Sequence, residues 1–224
     1  MTFSIVAKCP RTGQLGVAAA TAMPAVGKLL THAAAGVGAV ATQARINPYL
    51  GIDGLALLRE GCEAHEVIER LKLTDPCMSQ RQVAVIDNRG GVACWTGDRC
   101  LPWSGSISGD DFCVQGNRLT GRDVLEAVAD ALDCTRCLPL VERLMEALVA
   151  GDSLGGDRHG ESSATIYVVD REEYPLWDIR VDHHREPLTE LRRLHAVFER
   201  EVLPEMLRMP TRDNPAGAAE EDPV

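Results

Sequence analysis

The chain has 224 residues, 45% apolar and 25% charged, with 23 Lys+Arg against 33 Asp+Glu for a net charge of -10. That apolar share excludes disorder throughout, because a folded chain of this length hides roughly 70% of the surface its unfolded form exposes. The acidic balance, with no stretch concentrating Lys or Arg, excludes the electrostatic footprint of a nucleic-acid binder and makes anionic membranes poor partners. No apolar run reaches the 18 or so residues a spanning helix needs. The opening MTFSIVAKCP lacks the pattern of an export signal, so a soluble cytoplasmic protein is expected.

Residues 2–8 alternate Phe3, Ile5 and Ala7 against Thr2, Ser4, Val6 and Lys8, which is strand period. Cys9-Pro-Arg-Thr-Gly13 reads as a turn, and the small apolar residues 15–22 as a second strand pairing antiparallel with the first. GVGAVATQA at 36–44 reads as a buried strand. Helical spacing follows at Ile52, Leu55, Ala56 and Leu58, and again at Val67, Ile68 and Leu71. Residues 83–86 and 92–96 flank Asp87-Asn-Arg-Gly-Gly91 as a second hairpin. Strands are expected at 112–115 and 164–169. Between them Val124, Leu125, Val128, Ala129 and Leu132, then Leu140, Val141, Leu144 and Leu148, mark two amphipathic helices. A last helix carries Leu188, Leu191, Leu194, Phe198 and Val202. From Pro210 the sequence is polar, acidic and aperiodic, so one domain over 1–209 with a disordered tail over 210–224 is expected. Hairpins in place of regular strand–helix alternation argue for an α+β class, an antiparallel sheet system with helices packed outside.

Several motifs lack the context their chemistry needs. Gly36-Val-Gly-Ala-Val-Ala41 fits a dinucleotide fingerprint in spacing, but its glycines lead into a strand and not a helix. His65-Glu-Val-Ile-Glu69 lacks the second histidine of a zinc protease, and the adjacent His183 and His184 would point to opposite faces of an extended segment. Cys134 and Cys137 form a CxxC with neither a second metal-binding pair nor a strand before it; reduced structural thiols are the expectation for all eight cysteines. No metal and no cofactor is expected. Two polar, glycine-rich segments remain, 108–117 and 155–164, at the edges of expected strands, where either binding groups or turn-capping side chains would sit.

The N-terminus is chemically distinctive. Thr2 is small, so removal of Met1 is expected, and it would leave a hydroxyl and a free α-amine on one residue at the start of a strand. An N-terminal amine is an effective base for its own threonine. With a reference pKa of about 7.7–8.0, on the order of a tenth of it is neutral at pH 7. The alternative is that Thr2 is only a β-branched strand residue.

TFSIVA at 2–7, PRTGQLGVA, GVGAVATQA, NPYLGIDGLALLREG, RQVAVID, SGDDFCVQGN, GGDRHGESSA and RVDHHREPLTELRRL occur in the order seen in a bacterial family called domain of unknown function 1028. The chain resembles that family over most of residues 2–194. The resemblance implies the N-terminal nucleophile hydrolase superfamily and its four-layer αββα sandwich, two antiparallel sheets face to face with helices outside both. It also implies that Thr2 stands at the nucleophile position. Asp111, Arg118, Glu161 and Ser162 depart from the family pattern, and His183 stands where an acid is expected, leaving His184 as the family-like histidine.

The resemblance and the residues together point to hydrolysis of a linear amide in a small peptide-like or amino-acid-derived substrate. Thr2 would be the nucleophile and its amine the base. Asn117 is the candidate oxyanion donor, and Asp157 and Ser163 are candidates to orient the amine. Gln43, Asn47, Asp110 and Gln115 are candidate substrate-binding groups on the family-like blocks alone. Two other readings stand beside this one: a site that binds a small metabolite without turnover, and a structural or homo-oligomeric assembly role.

Overall fold

In the computed structural model, which describes residues 2–155 and 160–218, the central strand is β1 (Thr2–Lys8). It pairs antiparallel with β2 (Leu15–Thr21) on one side and β8 (Phe112–Asn117) on the other. The expected 9–13 turn closes the first pair: the Gly13 amide donates to the Cys9 carbonyl at 2.8 Å, and Gly13 takes a φ of +80° that favours glycine. Strands β7 (Gly105–Gly109), β9 (Ser163–Val169) and β10 (Trp177–Val181) complete a six-stranded sheet in the order β10-β9-β2-β1-β8-β7. A second sheet has the order β3-β4-β5-β6, from β3 (Thr31–Ala34), β4 (Gly38–Ala44), β5 (Arg81–Asp87) and β6 (Val92–Thr96). Every strand pair in both sheets is antiparallel.

Six helices accompany the sheets among the described residues: α1 (Pro48–Arg59), α2 (Ala64–Thr74), α3 (Asp123–Cys134), α4 (Leu140–Ser153), α5 (Pro187–Glu201) and the short α6 (Leu203–Met206). Strand alternation sorts their partners. Phe3, Ile5 and Ala7 of β1 join Val128, Leu132, Leu144 and Leu148 in one apolar cluster, so α3 and α4 lie on that face of the six-stranded sheet. Val40, Val83 and Val85 meet Leu55, Val67 and Leu71, which places α1 and α2 on one face of the four-stranded sheet. The remaining faces, including Val6, Val17, Ala19, Ala41 and Ala84, pack on one another between the sheets. That middle layer mixes Ala and Val with larger side chains such as Leu15, Leu30 and Ile86.

The structure corrects the element list at three strands. β3 and β7 are short and rich in Ala, Gly or Ser, with weak strand propensity. β10 was missed although Trp177, Ile179 and Val181 alternate and are buried. Pro210 to Ala218, within the expected tail, folds back: Tyr174 donates to the Pro210 carbonyl at 3.0 Å, and Arg212 pairs with Glu173. The glycines of the 36–41 motif form the β3–β4 turn and enter a strand, as read from sequence.

Candidate active site

Register fixes what stands at the start of β1. Thr2 lies opposite Thr21 on β2 and opposite Asn117 on β8. Because Phe3, Ile5 and Ala7 face the α3/α4 layer, Thr2, Ser4 and Val6 face the other sheet. Thr2 is the outermost of that row. It is half-buried and, with Asn117, lines a cleft of about 560 Å³. The Thr2 and Thr21 hydroxyl oxygens are 3.0 Å apart, so one donates to the other, and Thr21 Oγ1 also accepts from the Met23 amide at 3.4 Å.

A buried amide cluster lies directly beneath. Gln82 of β5 is fully buried; its Oε1 accepts from Gln43 Nε2 at 2.7 Å and from Asn117 Nδ2 at 3.2 Å. Its Nε2 donates toward the carbonyls of Gly116 at 2.8 Å and Gly105 at 3.0 Å, and toward Thr96 Oγ1 at 2.9 Å. Gln43 Nε2 also reaches the Thr2 carbonyl at 3.4 Å. The hydrogen bonds on both ends of the Gln82 amide fix it in one orientation, while the buried Gln43 Oε1 has no hydrogen-bond partner among the described residues. Asn117 therefore spends one N–H on Gln82 and retains a second. Gln82 ties both sheets to the strand ends that carry Thr2 and Asn117.

The other expected residues are placed as follows. Gln115 is buried between the sheets, donating to Ala41 O at 3.0 Å and Ser4 Oγ at 3.3 Å. Ser163 is opposite Thr21 on β9; its hydroxyl donates to Met23 O at 2.6 Å and accepts from the Val26 amide at 3.1 Å, so it pins the segment that carries Met23 to the cleft. Asn47 caps α1, accepting from the Tyr49 amide at 3.2 Å and donating to Asp75 at 2.8 Å. Asp110 is not brought to the cleft. It sits in the β7–β8 turn at the far end of β8 from Asn117, with its side chain 88% exposed and Arg136 3.6 Å away. Asp157 lies outside the described residues. His184 is held in the turn before α5, its Nδ1 accepting from the Glu186 amide at 3.1 Å.

Of the rim, sequence reasoning singled out Arg118 alone, as a departure from the family pattern, and missed the rest. Arg45, Arg99 and Arg118 line the cleft, and no Asp or Glu does among the described residues. They come from three separate places, the ends of β4 and β8 and the segment after β6, so only the folded register unites them. Thr21 and Gln82 were also missed. A glutamine inside the apolar strand RQVAVID was the available signal for the second, since an unpaired buried amide is costly.

All eight cysteines are free, and no group of three His, Cys, Asp or Glu among the described residues is placed to hold a metal ion. Cys94 is lowered to about 6, chiefly by its hydrogen bond with Cys113 and further by Ser106 and Ser108, against the opposing effect of burial. That pair lies between the sheets and is not part of the cleft. No helix among the described residues is long and apolar enough to cross a membrane.

Comparison with known proteins places the chain. A crystal structure of a protein from Silicibacter pomeroyi, described as belonging to the DUF1028 family model, superposes with a TM-score of 0.88 at 27% identity, covering 96% of this chain and 98% of that one. Anbu (ancestral beta-subunit) from Yersinia bercovieri aligns at a TM-score of 0.40 and 13% identity, over 88% of this chain and 97% of its own. No curated protein matches. The family model described as "Family of unknown function (DUF1028)" matches residues 2–191, and the chain belongs to that family.

Proposed function

We propose that this chain is an N-terminal nucleophile hydrolase, a four-layer αββα sandwich that cleaves a linear amide in a small peptide-like or amino-acid-derived substrate. The observation that carries the reading is the position of Thr2: the first residue of a central strand, half-buried, opening into a cleft beside Asn117. The two sheets packed face to face, with helices against each outer face, support the same reading.

With Met1 removed, Thr2 Oγ1 attacks the amide carbonyl while the Thr2 amine takes the hydroxyl proton. The resulting oxyanion receives the second N–H of Asn117. The C–N bond then breaks as the amine returns the proton to the leaving nitrogen, leaving an ester on Thr2. Water, deprotonated by the same amine, attacks that ester and releases the acid. The balance is one amide plus one water giving one carboxylic acid and one amine. Thr21 sets the direction of the Thr2 hydroxyl, Gln43 holds its carbonyl, and Ser163 positions the Met23 wall. Asp157 remains the proposed acceptor for the amine.

Intact-mass analysis tests this directly. Incubated with a panel of p-nitrophenyl acyl esters, processed wild type acquires one acyl group that maps to Thr2, and Thr2→Ala acquires none. Asn117→Ala slows acylation by about 10²–10³-fold at unchanged fold, the loss expected for one oxyanion donor. Acylation of a chain that retains Met1, or equal acylation of Thr2→Ala, overturns the scheme.

A further inference from the structure

The rim of the cleft is cationic in a protein of net charge -10. Arg45, Arg99 and Arg118 all line it, and their guanidinium groups have few internal partners. Many other arginines are neutralised by a carboxylate, among them Arg81, Arg122, Arg136, Arg192 and Arg193. Among the described residues neither Arg99 nor Arg118 has an ion pair or a side-chain hydrogen bond. Arg45 makes one neutral contact, from Nη1 to Gln80 Oε1 at 2.9 Å.

Their backbones, by contrast, are firmly held. The Arg45 amide donates to Gln80 O at 3.2 Å, and the Arg45 carbonyl accepts from Arg81. The Arg99 amide donates to Ser79 O at 2.8 Å, and the Arg118 amide to Leu101 O at 3.0 Å. Arg118 has φ +59°, and Ala44, which precedes Arg45 and also lines the cleft, has φ +69°. Non-glycine residues are rarely held in that region, and they cluster at sites such as ligand clamps. Guanidinium groups with no carboxylate partner on anchored backbone, with Met23 and Leu101 as an apolar wall, are the features of a carboxylate clamp. A guanidinium meets a carboxylate through two parallel hydrogen bonds.

We infer that the amide taken by this cleft carries a free carboxylate, bound by Arg45, Arg99 and Arg118 while the amide carbonyl lies at Thr2. The substrate class is then an N-acyl amino acid or a related amido-carboxylate. This inference rests on the reaction site being the Thr2 cleft.

The test uses binding to Thr2→Ala, which cannot turn over, and turnover by wild type. N-acetylglycine, N-acetyl-β-alanine and N-acetyl-γ-aminobutyrate are titrated calorimetrically at low ionic strength, each beside its neutral carboxamide. At least one carboxylate binds about tenfold or more tighter than its carboxamide. Arg45→Gln, Arg99→Gln and Arg118→Gln, each with unchanged melting temperature, weaken that carboxylate about tenfold and leave the carboxamide unaffected. Equal binding of the two members of each pair, no effect of the arginine variants, inorganic phosphate binding as tightly, or no binding by any carboxylate would each overturn it. Thr2-dependent hydrolysis of neutral amides without carboxylate preference removes this inference and leaves the proposed function standing. Carboxylate-selective binding without turnover does the reverse.

Discussion

Asp75 shows how much of the cleft depends on one residue outside it. Its carboxylate is buried, accepting from Arg81 Nε at 2.9 Å, Asn47 Nδ2 at 2.8 Å and the Cys77 amide at 2.7 Å. Burial pushes its pKa up, but these hydrogen bonds and the Arg81 charge outweigh burial and hold it below the usual 3.8. The same Arg81 holds the carbonyl of Arg45 at the cleft rim. A depressed folded-state pKa stabilises the fold above the unfolded value and loses that contribution as pH falls through the folded value. Asp75→Asn is therefore expected to cost about 2 kcal/mol at pH 7, the scale of a charge-assisted hydrogen bond. The gap to wild type in denaturant titrations closes progressively below about pH 4. A gap independent of pH would show that the loss is one of packing. At this scale Thr2 and Asn117 could be named as candidates from sequence, because the chemistry of an N-terminal alcohol and the SGDDFCVQGN block are local, and the fold sets the two opposite each other at one cleft. Asn47 and Asp110 were placed in the site on the same local grounds, and the fold uses one as a helix cap and leaves the other in a turn.

Elements bring the rim together, and the segment after β6 carries a third of it. Gly97 donates to Arg81 O at 3.0 Å and packs against the turn before β5. A Cβ there would stand 2.3 Å from Ser79 O and 2.4 Å from Met78 O, both backbone atoms that cannot rotate away. Gly97→Ala is expected to push the two segments apart, costing about 1–3 kcal/mol as overpacking does. For a chain of this size that lowers the melting temperature by about 2–4 °C per kcal/mol. Since Arg99 hangs from Ser79 O, carboxylate binding weakens in the same variant; a lowered melting temperature with unaltered binding would separate the loop from the clamp. Hairpin β5–β6 was readable because its strands are apolar and its turn is Asn- and Gly-rich. β7, GSISG, was not, since only pairing with β8 makes those residues a strand.

Across the whole molecule, the mixture of antiparallel strands and helices was legible from periodicity together with the turn signals of the hairpins. Which faces meet was not, because a four-stranded and a six-stranded sheet are divided by pairings far apart in sequence. Charge is distributed on the same scale. Among the ion pairs of the described residues only Asp75–Arg81 has both side chains mostly buried, so the others contribute little, and a net charge of -10 acts mainly as self-repulsion. Raising ionic strength from about 0.01 to 0.1 M shortens the screening length from about 30 to about 10 Å. The melting temperature is therefore expected to rise over that interval in sodium chloride. Carboxylate binding at the arginine rim moves the other way, because the same ions screen the attraction that holds the ligand. Opposite slopes from one salt series, scanning calorimetry for the fold and titration for the cleft, would place the positive charge at the mouth and the negative charge elsewhere. A melting temperature that falls with salt would mean instead that the surface pairs outweigh the net repulsion.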